Sequence, residues 1–443
     1  MLLLLQFLKK RSKTSTNNYR PVSLTSIVCK LLESFVRDSI QTHMEEHNLY
    51  SNCQHGFRSG RSCISQLLEV IEDFSKFIDE ETPFDVIYLD FKKAFDTVPH
   101  QRLLEKMKSY GIDGQLLKWT RSFLENRTQQ VKVNKATSDI ADVTSGIPQG
   151  SILGPILFTI FINDLPDLVN SLCKIFADDT KCYNHSSKHQ IIQDDLLSLE
   201  AWTIKWQLFF NIEKCLCLYF GRNNPCHEYF LNSKEGPITI KKCFSEKDLG
   251  VTFDTELNFN IHINNIVSKA NKVLGLIKRN FCNMDEATLV LLYKSLVRSL
   301  LEYGQSVWSP IFLNQSRVIE NVQRRATKLI PTIKDFTYEE RLKHLKLPSL
   351  KYRRIRGDLI QVFNLFNNSN NHSFFTLNDS MTRGHNLKLF KNHCRTNLRK
   401  HSFSNRIVDT WNSLSSSSVN AKDVNSFKNF LDGDLFNLMY IYD

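Results

Sequence analysis

An α+β fold is expected, on three observations. The run Phe84-Asp85-Val86-Ile87-Tyr88-Leu89 behind Pro83 is short, β-rich and apolar, which reads as a buried strand. Lys174 to Tyr183 reads as a strand, a tight turn and a returning strand, with Asp178-Asp179 at the tip. Beyond about residue 256 the apolar spacing becomes helical, with Ile266, Ala270, Val273, Leu274 and Ile277 on one stripe.

The remaining elements follow in chain order. Leu31, Leu32, Phe35 and Val36 repeat at helical spacing, as do Leu67, Leu68 and Ile71. Helices are expected at Gln101 to Tyr110, with Gly111 as the C-cap glycine, and at Gln115 to Leu124; Gln129 to Val133 reads as a strand. Pro155 to Leu165 is apolar almost all round, with proline at the first helical position, and such a helix belongs in a core. Asp194 to Trp206 is amphipathic. Phe209 to Phe220 and Leu249 to Phe253 read as strand material, and a further helix is expected near Glu286 to Tyr303. Residues 367 to 380 are rich in Asn and Ser and read as a linker. The tail beyond is basic at first and carries Trp411, Phe427 and Phe430, enough apolar mass for a small appended unit.

Bulk composition agrees with a folded chain. Across 443 residues, 42% are hydrophobic and 23% charged, an ordinary globular balance. A soft guide of ~150 residues per domain suggests two to four subdomains. Lys and Arg exceed Asp and Glu by 57 to 46, giving +11. That excess suits an anionic partner such as nucleic acid, and equally a merely basic soluble protein. The 11 cysteines are scattered with no C-x-x-C pair, so neither structural zinc nor a disulfide framework is expected, and free thiols fit a reducing compartment. The opening Leu2 to Leu8 run is interrupted by Gln6 and is far short of ~20 apolar residues, so neither a signal peptide nor a membrane partner is expected.

The chemistry centres on three carboxylates. Asp90 closes the most strongly marked strand, and Asp178 and Asp179 sit at the turn of the most strongly marked hairpin. Carboxylates brought together this way suit Mg²⁺, which keeps its other positions for water and phosphate oxygens. Two ions ~3.5–4 Å apart can activate a primer 3′-hydroxyl and stabilise leaving pyrophosphate. Neighbours on a strand point to opposite faces, which favours Asp178 as the bridging ligand and Asp179 as the weaker one. Taken singly, each residue has an ordinary use: adjacent acids are common solvated turn formers, and Asp90 alone could cap a helix. Ser145-Gly-Ile-Pro-Gln-Gly150 offers glycines for close backbone approach and Gln149 to orient a base or sugar, or is a plain loop before a helix. Phe95 could stack under an incoming sugar and exclude a 2′-hydroxyl, or serve as a core aromatic. Lys214 could protonate pyrophosphate or hold phosphate charge, and Arg20, Arg58 and Arg61 could clamp a triphosphate or template; ordinary surface positions are the default for all four.

Taken in order, these pieces form one series: Asn18-Tyr-Arg-Pro-Val-Ser-Leu24, Gln54-His-Gly-Phe-Arg-Ser-Gly-Arg-Ser62, Tyr88-Leu-Asp-Phe-Lys-Lys-Ala-Phe-Asp96, Ser145-Gly-Ile-Pro-Gln-Gly-Ser-Ile-Leu-Gly-Pro155, Phe176-Ala-Asp-Asp179, Asn211-Ile-Glu-Lys214 and Asp248-Leu-Gly-Val251. The series resembles the reverse transcriptase motifs of non-LTR retrotransposons of the jockey and CR1 type. Asn321-Val-Gln-Arg-Arg-Ala326, Leu347-Pro-Ser-Leu-Lys-Tyr-Arg-Arg354 and Thr382-Arg-Gly-His385 are similar to that family's thumb and tail.

The resemblance implies a right-hand polymerase: fingers over 1–80, a palm with an antiparallel sheet over 81–255 holding an inserted fingers segment at about 101–145, a helical thumb over 256–366, the 367–380 linker and a C-terminal extension over 381–443. It implies two Mg²⁺ ions, with Mn²⁺ as an alternative, held by Asp90, Asp178, Asp179 and the Phe91 carbonyl. Phe95 would be the sugar gate; Gln149, Gly150, Lys214 and Arg20 would meet the nucleotide. Arg58 and Arg61 would face template, and Leu249-Gly250 would belong to the primer grip. The implied partners are an RNA template, a DNA primer and target, and deoxynucleoside triphosphates, in target-primed reverse transcription. Synthesis in the cytoplasm and action in the nucleus are expected, though no targeting signal is visible.

Full elements of this type carry an endonuclease ahead of the polymerase, and its absence here, with a start inside the fingers, reads as a truncated copy or partial gene. Nicking would then come from another domain or protein. The competing expectation is a catalytically inert or domesticated relic that only binds nucleic acid.

Overall fold

In a computed structural model of the chain, the described residues are 2–8, 19–133, 136–233, 235–281, 285–367, 374–378 and 384–442. The Arg20 side chain, the basic turn at residues 9–10, most of the expected linker and Thr382-Arg383 lie outside them. Two compact units form: residues 1–66, 84–219 and 224–243, and residues 67–83, 220–223 and 244–443.

The first unit is built on a five-stranded sheet in the order Lys241–Lys242, Leu216–Phe220, Phe84–Leu89, Asp179–His185, Leu172–Phe176. Phe84–Leu89 is buried at every position but Tyr88, as a strand covered on both faces should be. Its one acid, Asp85, is fully buried because Tyr229 donates its hydroxyl (2.6 Å) and Asn224 its amide (2.7 Å) to the carboxylate. Burial still pushes the Asp85 pKa up. A second sheet pairs Leu2–Leu8 with Tyr19–Leu24 and Arg127–Val133.

Helix Gly154–Phe161 is buried throughout except at Pro155 and shares one hydrophobic cluster with Ile87, Leu89, Leu103 and Met107. Just before the helix, Glu33, a fully buried carboxylate, accepts from Ile152 N (2.7 Å) and Leu153 N (3.2 Å), and Ser151 Oγ accepts from Gly154 N (2.9 Å). The helix stops earlier than expected, at Phe161 rather than Leu165. Lys106, 2% exposed, donates to the Phe161 carbonyl, and Asn163 turns away to bond Ser51 N and Leu49 O. Pro166 then sits in a short 3₁₀ turn, Leu165–Leu168.

One further expectation is corrected. Phe209 to Phe220 is not strand throughout: only Leu216–Phe220 is, and Ile212–Lys214 forms a 3₁₀ turn because Asn211 N is bonded to Asp90 O at 2.7 Å. Helix Ile27–Glu46 forms as the spacing reads; it buries Glu33, Ile40 and Met44, with Leu31, Leu32 and Phe35 exposed.

The second unit is mainly helical, as the spacing beyond residue 256 predicts. Helix Asn260–Asn280 carries the Ile266, Ala270, Leu274 and Ile277 stripe inward. The run expected near Glu286 to Tyr303 is helical as Glu286–Leu292, a π turn over Tyr293–Arg298 and Ser299–Glu302. Residues 384–442 pack within the second unit, where Phe427 stacks on Phe363 at 4.3 Å and Arg406 pairs with Asp358 at 2.9 Å. Residues 67–83 group with this unit as well.

This unit contains an acid-sensitive element. His262 is 2% exposed and accepts a hydrogen bond from Thr252 N at Nδ1 (3.1 Å). Burial, helped by the charges of Lys269 and Lys247, lowers its pKa to about 4 from 6.5. Between those values the unfolded chain is protonated and the folded chain is not. Stability is therefore expected to fall as pH drops from 6.5 toward 4, by up to about 3 kcal/mol. Urea unfolding across that range checks this, and a His262→Gln chain should lack the increment.

Candidate functional site

The strand Phe84–Leu89 runs antiparallel to Asp179–His185, and the ladder ends with Leu89 opposite Thr180. Asp90 follows directly on Leu89, and Asp179 precedes Thr180 at the start of the facing strand, so both acids lie at the end of the ladder. Asp179 opens its strand across from Phe176, leaving Ala177-Asp178 as the tip. Asp178 is half-buried and Asp179 exposed, consistent with unequal roles for the two. The structure thus brings the three aspartates to one end of the sheet.

On its other side, Asp90 is fixed by the segment that follows helix His189–Trp206. Lys92 N donates to Phe209 O (2.8 Å), Asn211 N donates to Asp90 O (2.7 Å), and Phe91 bridges Phe210. In that pattern the carbonyl of Asp90 is taken by Asn211, and the backbone N–H and C=O of Phe91 point away from Phe210. The Phe91 ring stacks on Phe210 at 4.6 Å and anchors the strand end in the core.

The electrostatics are set by one ion pair. Lys214 Nζ lies 2.6 Å from Asp90 Oδ2, with the lysine 62% and the aspartate 34% exposed. The lysine expected at the triphosphate is therefore paired with the first aspartate. In so exposed a setting the pair is readily exchanged for another cation. Among the described residues, no three His, Cys, Asp or Glu side chains are already drawn together around a metal position. The donor set itself, carboxylates with one backbone carbonyl, fits a hard divalent ion.

The glycine-rich loop is held beside the segment after Asp90. Gln149 Nε2 donates to Asp96 Oδ1 (2.7 Å), Gly146 N to Val98 O (2.8 Å), and Ile147 N to Phe95 O (2.7 Å). Gly146 has φ +91, and a Cβ there would lie 2.6 Å from Asp96 O, so only glycine fits. Gly150 adopts φ +104 next to Ser23 O. Phe95 is half-buried and stacks on Phe158 at 4.5 Å, which fixes its ring from one side.

Other expected site residues stand differently. Arg58 donates to Ser51 O (2.7 Å) and lies over the Tyr50 ring at 5.0 Å, so its guanidinium braces its own loop. Burial and the Arg61 charge lower its pKa. Arg61 Nη1 meets His55 Nε2 at 3.0 Å. Leu249 and Gly250 form the turn of a hairpin in the second unit, where Tyr303 donates its hydroxyl to Leu249 O at 2.8 Å. Three residues that bond the expected site segments were not expected: Asp96, which accepts from Gln149; Glu33, which accepts from Ile152 N and Leu153 N; and Gln54, which accepts from Ala177 N. A charged residue within an apolar helical stripe was the available signal for Glu33.

The family described as reverse transcriptase (RNA-dependent DNA polymerase) matches residues 8–275. The RNA-directed DNA polymerase from mobile element jockey of Drosophila melanogaster is 28% identical over 380 residues, covering 81% of this chain and 41% of that protein. A probable RNA-directed DNA polymerase from transposon BS of the same organism is 27% identical over 349 residues, covering 72% and 37%. The chain spans about two fifths of the length of these relatives. Among solved structures, telomerase from Candida albicans in complex with a fragment of telomeric RNA is similar at 11% identity and a TM-score of 0.43, over 76% of this chain and 63% of that one. With the family match extending over more than half of its residues, the chain belongs to the reverse transcriptase (RNA-dependent DNA polymerase) family.

Proposed function

We propose that the chain is an RNA-directed DNA polymerase of a non-LTR retrotransposon, extending a primer 3′-hydroxyl with deoxynucleoside triphosphates on an RNA template. The observation that carries this reading is the convergence of Asp90 with the Asp178-Asp179 turn at one sheet end.

Divalent ions are general to the family, and Mg²⁺ is the ion proposed here, held by Asp90, Asp178 and the Phe91 carbonyl, with Asp179 the weaker ligand. When bound, a pair of such ions supplies the Lewis acid that activates the primer hydroxyl and neutralises charge on the departing pyrophosphate. Lys214, released from Asp90, carries its ammonium toward the triphosphate. Gln149, oriented by Asp96, offers its amide to the nucleotide or template beside Gly150. Phe95, backed by Phe158, presents a ring edge where a 2′-hydroxyl would stand. Arg20, Arg61, Leu249 and Gly250 are proposed to meet nucleic acid or nucleotide, and Arg58 to act through the loop it braces. The reaction would begin at a nick in target DNA made by an endonuclease of another domain or protein, in the nucleus.

Purified chain given poly(rA) template, oligo(dT) primer, dTTP and Mg²⁺ should extend the primer, and a chelator should stop it. Folded protein that binds the duplex with strong salt dependence yet extends nothing would replace this reading with that of a nucleic-acid-binding relic.

A further inference from the structure

The aspartate turn does not hold its shape by local bonding alone. Ala177, just before the acid pair, has φ +53, a left-handed conformation that an alanine does not favour. The segment beside it begins at Gln54. Gln54 bridges Ile175 in parallel, His55 N donates to Ile175 O (2.9 Å) and Ile175 N to Cys53 O (2.9 Å). The Gln54 side chain is 1% exposed, and its Oε1 accepts from Gly56 N (2.7 Å) and Ala177 N (3.1 Å). Both neighbours are N–H donors, so the atom facing them is the oxygen. Gly56 packs so closely that a Cβ there would lie 2.6 Å from Ala177 N. Gln54 Nε2 is buried and makes no hydrogen bond. A buried amide that leaves its donor unpaired is being retained for its acceptor.

We infer that Gln54 is a positioning residue: its side-chain oxygen locks Ala177 in the left-handed conformation and so sets the direction of the Asp178 and Asp179 carboxylates relative to Asp90. Its consequence for catalysis rests on the polymerase reading, whereas its hold on the turn rests on geometry alone. Without the acceptor, Ala177 relaxes toward negative φ and both carboxylates swing with it.

Two measurements on the full chain test this. In Gln54→Leu, hydrogen exchange at the Ala177 amide should be about tenfold faster or more, since its acceptor is gone. In primer extension, kcat should fall by about tenfold or more, with KM for dTTP and primer–template affinity within about twofold of the starting values. Gln54→Asn, which withdraws the oxygen by one methylene, should act in the same direction if the leucine variant does not fold. Glycine has no preference against positive φ, so Gln54→Leu with Ala177→Gly should recover about threefold or more of the lost kcat. Unchanged exchange at Ala177, faster exchange with unchanged kcat, or a double variant no more active than Gln54→Leu would each overturn the inference. An inactive parent chain would defeat the polymerase reading instead, and the exchange measurement would still decide whether Gln54 holds the turn.

Discussion

Asp90→Ala should reduce primer extension by about 10³-fold or more and leave primer–template affinity within about twofold. The asymmetry follows from where Asp90 stands. Its carboxylate is at the strand end beside the aspartate turn, paired at 2.6 Å with Lys214 and 34% exposed. It contributes little to the core, so the variant should fold. What it would lose is a ligand for the divalent ions that would stabilise charge developing on the reacting phosphate, and with it several kcal/mol of transition-state stabilisation. Binding of the duplex depends instead on basic groups along the chain and should keep its salt slope. Loss of binding in parallel with loss of synthesis would show that Asp90 serves the structure rather than the reaction.

Lys106→Ala should destabilise the first unit by about 3 kcal/mol or more. Lys106 is 2% exposed, donates to Phe161 O and to Asp164, and lies over the rings of Trp206 (4.1 Å), Trp202 (4.5 Å) and Phe161 (5.0 Å). Alanine would leave the Phe161 carbonyl without its donor, empty the space between three aromatic rings and remove the partner of Asp164, which also accepts from Trp202 Nε1 at 3.1 Å. Lys106→Met keeps the stem among the rings and should lose less. Burial lowers the lysine pKa to about 8 from 10.5, against the opposing pull of Asp164. Between about pH 8 and 10.5 the folded chain has released this proton and the unfolded chain has not. The unfolded state then binds more protons, so stability should rise with pH across that window, by up to about 3 kcal/mol. Denaturant unfolding at pH 7.5 and pH 10 measures the rise, and the Met variant should not show it.

The parts of this fold legible in sequence are those that local chemistry decides. Phe84–Leu89 announces itself by a short apolar run interrupted only by Asp85, and the hairpin by acids between two strand-like segments, so the strand end at Asp90 and the tip at Asp178-Asp179 could both be read. What local pattern cannot carry is the partner of a buried polar group. Gln149 meets Asp96 across 53 residues and Gln54 meets Ala177 across 123. Nothing at either position alone marks it as one end of a pair. Helical spacing alone also does not tell which face is inside: in Ile27–Glu46 Glu33 is buried while Leu31, Leu32 and Phe35 are exposed. Phe209 to Phe220 is apolar enough for one long strand, but the bond from Asn211 N to Asp90 O bends the chain before the strand starts. That same bond secures the first aspartate, so the departure from a regular strand occurs where the site needs it.

The account depends on Asp90 and the Asp178-Asp179 turn gripping the same cations. Fe²⁺ substituted for Mg²⁺ in the full chain, with ascorbate and peroxide, produces hydroxyl radicals that cut backbone only near the bound iron. The cuts should fall in two places far apart in sequence, near residue 90 and near residues 178–179, and excess Mg²⁺ should suppress both together. Cutting at one of these segments without the other, or at neither, would contradict a shared metal site.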